Sequence, residues 1–111
     1  MRGPRAAALV VLFILTGCSD QIVSPQPGPS LVAIHATWCQ PCQRDKPLLA
    51  EVAKEFPVTE IDINSQRQLA ARYSVTSLPT YIVMYGGQEI GRTTDLRSAL
   101  NTLRSFNQLR Q

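Results

Sequence analysis

The stretch Leu31-Val32-Ala33-Ile34-His35-Ala36-Thr37-Trp38-Cys39-Gln40-Pro41-Cys42 decides the fold of this chain. Its first half is a short, mostly apolar run, the pattern of a central strand buried on both faces. Beyond it, Leu48, Leu49, Val52, Ala53 and Phe56 fall on one helical face. A strand therefore feeds directly into a helix, with Cys39 and Cys42 at the helix N-terminal end. Pro41 suits the first helical turn, where its missing N–H costs nothing.

A Cys-x-x-Cys pair at such a junction favours dithiol chemistry. The spacing lets the sulfurs meet over one helical turn, and the helix N-terminus favours a thiolate. The first thiol can thereby fall from about 8.5 to roughly 7 or lower. Cys39 is the expected nucleophile, and Cys42, one turn inward, is expected to resolve the mixed disulfide. Two other uses of the motif are weaker. A zinc site would need further ligands, and the chain offers only Cys18 and the single histidine His35. A purely structural disulfide would close too small a loop to constrain the unfolded chain much.

Downstream, Val58 to Ile63 alternates as a second strand. Ser65 and Gln68 have the form of a capping box opening a short helix through Leu69, Ala70 and Tyr73. Thr80 to Tyr85 is rich in β-formers, Gly86-Gly87 marks a hairpin, and Glu89 to Thr93 returns. Asp95 can cap a last helix carrying Leu96, Ala99, Leu100, Leu103 and Phe106. The order strand, helix, strand, helix, strand, strand, helix defines an α/β domain with one mixed sheet flanked by helices.

Three segments together resemble thioredoxin in order and spacing. They are Ala36-Thr37-Trp38-Cys39-Gln40-Pro41-Cys42, then Pro47, then Tyr73-Ser74-Val75-Thr76-Ser77-Leu78-Pro79-Thr80. The resemblance covers most of Leu31 to Arg92 and implies a minimal thioredoxin fold with a four-stranded mixed sheet. It implies that Pro79 follows a cis peptide bond beside the cysteines, that the Leu78 backbone pairs with an extended substrate segment, and that Trp38 lines the same surface. It implies a thiol:disulfide oxidoreductase without a cofactor, whose partners are a protein disulfide substrate and an upstream thiol-disulfide electron donor. Gln40-Pro41 is similar to the dipeptides of thioredoxin and of membrane-tethered reductases, which favours a reductant; a disulfide oxidase or isomerase, or a redox-inactive peptide-binding module on the same fold, are the alternatives.

Departures from the family pattern are informative. The family's buried acid falls at Ala33, and the lysine often near it falls at Glu60, so Glu60 is a candidate acid/base for Cys42; its other reading is a solvent-facing strand carboxylate. His35 shares a strand face with Ala33 and can approach the sulfurs as a tuning cation, or pack as a neutral ring. The leading strand and helix of full-length thioredoxin have no counterpart in Ser19 to Ser30, which leaves a sheet edge open or covered by a partner.

The N-terminus reads as an address. Met1-Arg2-Gly3-Pro4-Arg5 precedes the apolar run Ala6 to Leu15, too short for a comfortable permanent span. The run ends Leu15-Thr16-Gly17-Cys18, which resembles a bacterial lipobox with Cys18 as the lipidated residue. The expected division is a lipoprotein signal peptide over 1–17, a lipidated N-terminus and Pro-rich tether over 18–30, and the thioredoxin-like domain over 31–111. Pro25, Pro27 and Pro29 make the tether extended. The expected location is the bacterial cell envelope, facing the periplasm or the cell exterior, with the membrane held through lipid.

Charge adds exclusions. The 111 residues carry a formal +3, but without Arg2 and Arg5 nine basic residues face eight acidic ones, scattered along the chain. No basic run calls for nucleic acid. One core is the ceiling at this length, and a monomer is the expected state.

Overall fold

A computed structural model describes residues 27–109. The expected signal peptide, Cys18 and the expected tether as far as Gln26 lie outside the described residues. The elements are β1 (Pro29–His35), α1 (Gln40–Glu55), β2 (Val58–Asp62), α2 (Arg67–Ala71), β3 (Thr80–Tyr85), β4 (Gln88–Thr93) and α3 (Leu96–Leu109), the order expected from the periodicities.

The sheet order is β2-β1-β3-β4. β1 runs parallel to β2 and antiparallel to β3, which forms a hairpin with β4. β1 begins at Pro29, two residues earlier than its apolar run, and proline is tolerated at the first residue of a strand. At the hairpin Gly86 and Gly87 take φ of 60° and 83°, values that a two-residue turn between twisted strands requires and side chains disfavour. β2 lies at one edge of the sheet, with no strand paired outside it among the described residues.

Alternation along β1 divides the core. Leu31 and Ala33 face α1 and α3, packing with Leu49, Val52, Tyr81, Val83, Leu96, Leu100 and Leu103. Val32 and Ile34 face the other way, packing with Ile61, Ala70 and Ile82 under α2. β1 is thus covered on both sides, as its apolar run implied. Ala53 is the exception to the helical spacing: it is exposed, because α1 buries a narrower stripe through Cys42, Leu49 and Val52.

The helix caps divide into one expected and one not. At the start of α3 the Asp95 carboxylate accepts the backbone N–H groups of Arg97 and Ser98, as a cap should, and also the Ser98 hydroxyl at 2.7 Å. The Ser65 capping box does not form. Gln66 is the N-cap of α2 and makes no side-chain cap bond. Its Oε1 accepts the Asp62 backbone N–H at 3.1 Å instead, and the Asn64 N–H donates to Asp62 Oδ1 at 2.8 Å. The polar groups of this turn are used to close the end of β2. α2 itself stops at Ala71, short of Tyr73, and Ser74 turns the chain with φ of 51°.

Candidate active site

The site begins where β1 becomes α1. Cys39 is the N-cap of α1, with extended backbone angles, and its Sγ accepts the Cys42 backbone N–H at 3.2 Å. The first turn of α1 contains no acidic side chain, so the sulfur is the group placed to answer the positive end of the helix. Gln43 ties the preceding turn to the helix, its Nε2 donating to the carbonyls of Ala36 at 3.3 Å and Thr37 at 3.2 Å. Cys39 and Cys42 are joined as a disulfide with Cα atoms 5.3 Å apart.

Both cysteines are 4% exposed, yet they border different spaces. Cys39 lines an open groove of about 960 Å³ between the start of α1 and the segment from α2 to Leu78. Cys42 lines a small internal cavity of about 10 Å³ with Ala33, His35, Lys46, Leu49, Glu60 and Tyr81. The outer sulfur can meet another molecule, and the inner one is backed by titratable groups.

Trp38 stands 64% exposed on the groove, its indole Nε1 donating to Asn64 Oδ1 at 3.4 Å. Leu78 lines the groove and packs against the cluster of Ala36, Cys39 and Cys42. The Leu78–Pro79 peptide is cis, and Pro79 is buried. Thr80 fastens this turn, its hydroxyl donating to the Ser77 carbonyl at 2.6 Å. Among the described residues Arg67 is the one charged residue lining the groove. Its position on α2 is plain in the sequence, but its proximity to Cys39 depends on how α2 packs on the sheet.

Beneath Cys42, Ala33 pairs with Glu60 and His35 with Asp62 in the parallel register. Glu60 leans along the strand toward His35, and its Oε1 lies 3.3 Å from His35 Nε2. The His35 side chain is mostly buried and that of Glu60 half exposed. His35 Nδ1 is buried without a hydrogen-bond partner.

Tyr81, Asp45 and Lys46 were not among the residues singled out from the sequence. The Tyr81 hydroxyl donates to Asp45 Oδ2 at 2.6 Å. Burial, and then the Asp45 carboxylate, push this phenol far above the ordinary tyrosine range. Lys46 follows Cys42 by one helical turn, so its spacing placed it on the same face. The Tyr81–Asp45 contact spans 36 residues and carried no local signal.

A disulfide capping a helix, a cis-proline turn packed beside it and a groove opening on the outer sulfur define a thiol:disulfide oxidoreductase. The thioredoxin family model matches residues 12–107. The chain belongs to the thioredoxin family. It is 37% identical over 82 residues to the thioredoxin of Chlamydia trachomatis, covering 71% of this chain and 78% of that protein. It is 31% identical over 90 residues to a thioredoxin-like protein of Synechocystis, covering 78% and 86%. It spans only 18% of the bifunctional thioredoxin reductase/thioredoxin of Mycobacterium leprae and 46% of rice chloroplastic thioredoxin Y, at 34% and 35% identity over 71% and 66% of this chain. Among solved structures, Fasciola hepatica thioredoxin superposes with a TM-score of 0.67 at 27% identity, covering 73% of this chain and 83% of that one. The Schistosoma mansoni thioredoxin pre-protein, at 23% identity over 71% of this chain and 79% of that one, matches the fold with a TM-score of 0.66.

Proposed function

We propose that the chain is a membrane-anchored disulfide reductase of the bacterial cell envelope, holding its domain outside the membrane through lipid on Cys18. The reduced Cys39 thiolate attacks a disulfide of a protein substrate, and Cys42 displaces the substrate thiol to leave Cys39–Cys42 oxidised. An upstream thiol-disulfide donor then restores the pair, and no cofactor takes part. The domain works as a monomer.

The observation that carries this reading is the placement of Cys39 at once on the helix N-terminus and on the groove. Trp38 and Leu78 border that groove, so an extended substrate segment lying along Leu78 and the Pro79 turn would bring its disulfide to Cys39. The anchor rests on Leu15-Thr16-Gly17-Cys18 following a short apolar run. Two or more acyl chains hold a protein stably where one does not.

The test has two arms. The full chain should reduce insulin disulfides with dithiothreitol as donor, and Cys39→Ser should abolish this. Equilibration with glutathione should give a potential nearer the reducing members of the family than the oxidases; a strongly oxidising potential would replace reductase with oxidase. Radiolabelled palmitate should be incorporated in a bacterial host and lost in Cys18→Ser, together with membrane fractionation.

A further inference from the structure

We propose that His35, oriented by Glu60, accepts the Cys42 proton when the mixed disulfide on Cys39 is resolved. This rests on dithiol exchange through the two cysteines and concerns only its second step.

The inner sulfur needs a proton acceptor close by, because Cys42 is buried and borders the small cavity, whereas Cys39 borders the open groove. The groups sharing its cavity can be taken element by element. α1 contributes Lys46, whose ammonium is a donor and not an acceptor, and the apolar Leu49. β3 contributes Tyr81, whose hydroxyl is given to Asp45 and whose proton is held firmly by burial. β1 contributes Ala33, which carries nothing, and His35; β2 contributes Glu60.

The imidazole is the side chain whose ordinary titration lies closest to neutrality. The Glu60 carboxylate, with Oε1 3.3 Å from Nε2, favours by its charge the tautomer with the proton on that nitrogen. Nδ1 is then a bare lone pair, and it is the one buried side-chain polar atom among the described residues with no partner. Such an orphan in a buried position calls for an explanation. The cavity, about 10 Å³, is on the order of one water, enough to relay a proton between two groups on its wall.

In the step itself the Cys42 S–H proton passes across the cavity to His35 Nδ1. The Cys42 sulfur forms its bond to Cys39 Sγ as the bond from Cys39 to the substrate sulfur breaks. Two electrons leave the cysteine pair for the substrate, which departs as a thiolate and takes a proton from solvent. The imidazolium, paired with Glu60, returns its own proton to water at the half-exposed carboxylate.

The experiment is rapid acid quench of the reduced full-length protein mixed with excess disulfide peptide, followed by mass analysis of the mixed disulfide across pH 5.5 to 9.5. The second-order formation of the mixed disulfide tests the exchange reaction itself. Its first-order decay tests the proposal. His35→Gln should slow decay by about 10²-fold at pH 7, the scale of a lost general base, while formation changes less than about twofold. Its decay should rise steadily with pH and approach the wild-type rate near the thiol's own range, about 8.5. Glu60→Gln, at a half-exposed position, should slow decay less, with the same tilt toward high pH. Decay that is unaltered in His35→Gln, or slowed equally at every pH, overturns the proposal. Should His35→Gln not fold, an unaltered decay profile in Glu60→Gln overturns it.

Discussion

Cys39 Sγ accepts the backbone N–H of Cys42 at 3.2 Å, so the outer sulfur caps the helix that carries the inner one. The two residues share one turn of chain and border separate spaces, the groove and the small cavity. Their roles differ because the helix start exposes the first sulfur to a partner and turns the second into the core.

Alkylation of the reduced protein should therefore label Cys39 first, with an apparent titration below that of an ordinary thiol, because the helix N-terminus favours its thiolate. Cys42→Ser should accumulate a mixed disulfide with substrate on Cys39, visible as a mass addition that dithiothreitol removes. Equal labelling of both thiols near pH 7 would contradict the division of roles.

The groove predicts how substrate is held. Trp38 is 64% exposed beside Cys39, and truncation of a large aromatic at a contact commonly costs about 2 kcal/mol or more. Trp38→Ala should lower kcat/KM for a protein disulfide by about 30-fold and leave the Cys39 titration unchanged. Because Arg67 puts a positive charge on the groove, Arg67→Glu should penalise peptides with acidic residues near the disulfide and favour basic ones. Stopped-flow reduction of two charge-reversed peptides checks this.

Tyr81 and Asp45 predict a pH dependence of stability. Burial and the nearby carboxylate raise the folded-state titration of Tyr81 above the unfolded value of 10.0. The folded protein therefore keeps a proton that the unfolded chain loses. The resulting stabilisation is complete below pH 10 and declines as pH rises above it. Tyr81→Phe should cost about 1.5 to 3 kcal/mol at pH 7, the range for a hydrogen bond to a charged group. It should also flatten the fall in urea midpoint between pH 9.5 and 11; parallel curves for the two proteins would exclude Tyr81 as the source.

Leu103 tests the packing behind the site. It is fully buried on α3 against the sheet, in the same core as Leu31 and Val52. Leu103→Ala should destabilise by about 2 to 5 kcal/mol. In a domain this small that is a large part of the whole, so a sharp drop in urea midpoint and loss of activity near 37 °C are expected. At 15 °C the remaining folded fraction should keep a normal Cys39 titration, since Leu103 packs with Leu31 and Val52 whereas Cys39 packs with Ala36, Ile63 and Leu78.

By itself the sequence determined the elements and the position of the dithiol. The apolar run Leu31 to Ala36, the helical recurrence of Leu48, Leu49, Val52 and Phe56, and Cys39 before Pro41 are local patterns, and local patterns report local backbone. Their limit showed at Ser65, where a capping signal lost to the closing of β2 by Gln66 and Asp62. Tertiary structure alone decided what surrounds the sulfurs. The parallel register of β1 and β2 sets Glu60 beside Ala33 and within reach of His35. The crossing of β3 under α1 brings Tyr81 to Asp45, and the packing of α2 brings Arg67 to the groove. These contacts join side chains far apart in the chain, and their energy depends on registers and packing that no short window of sequence contains.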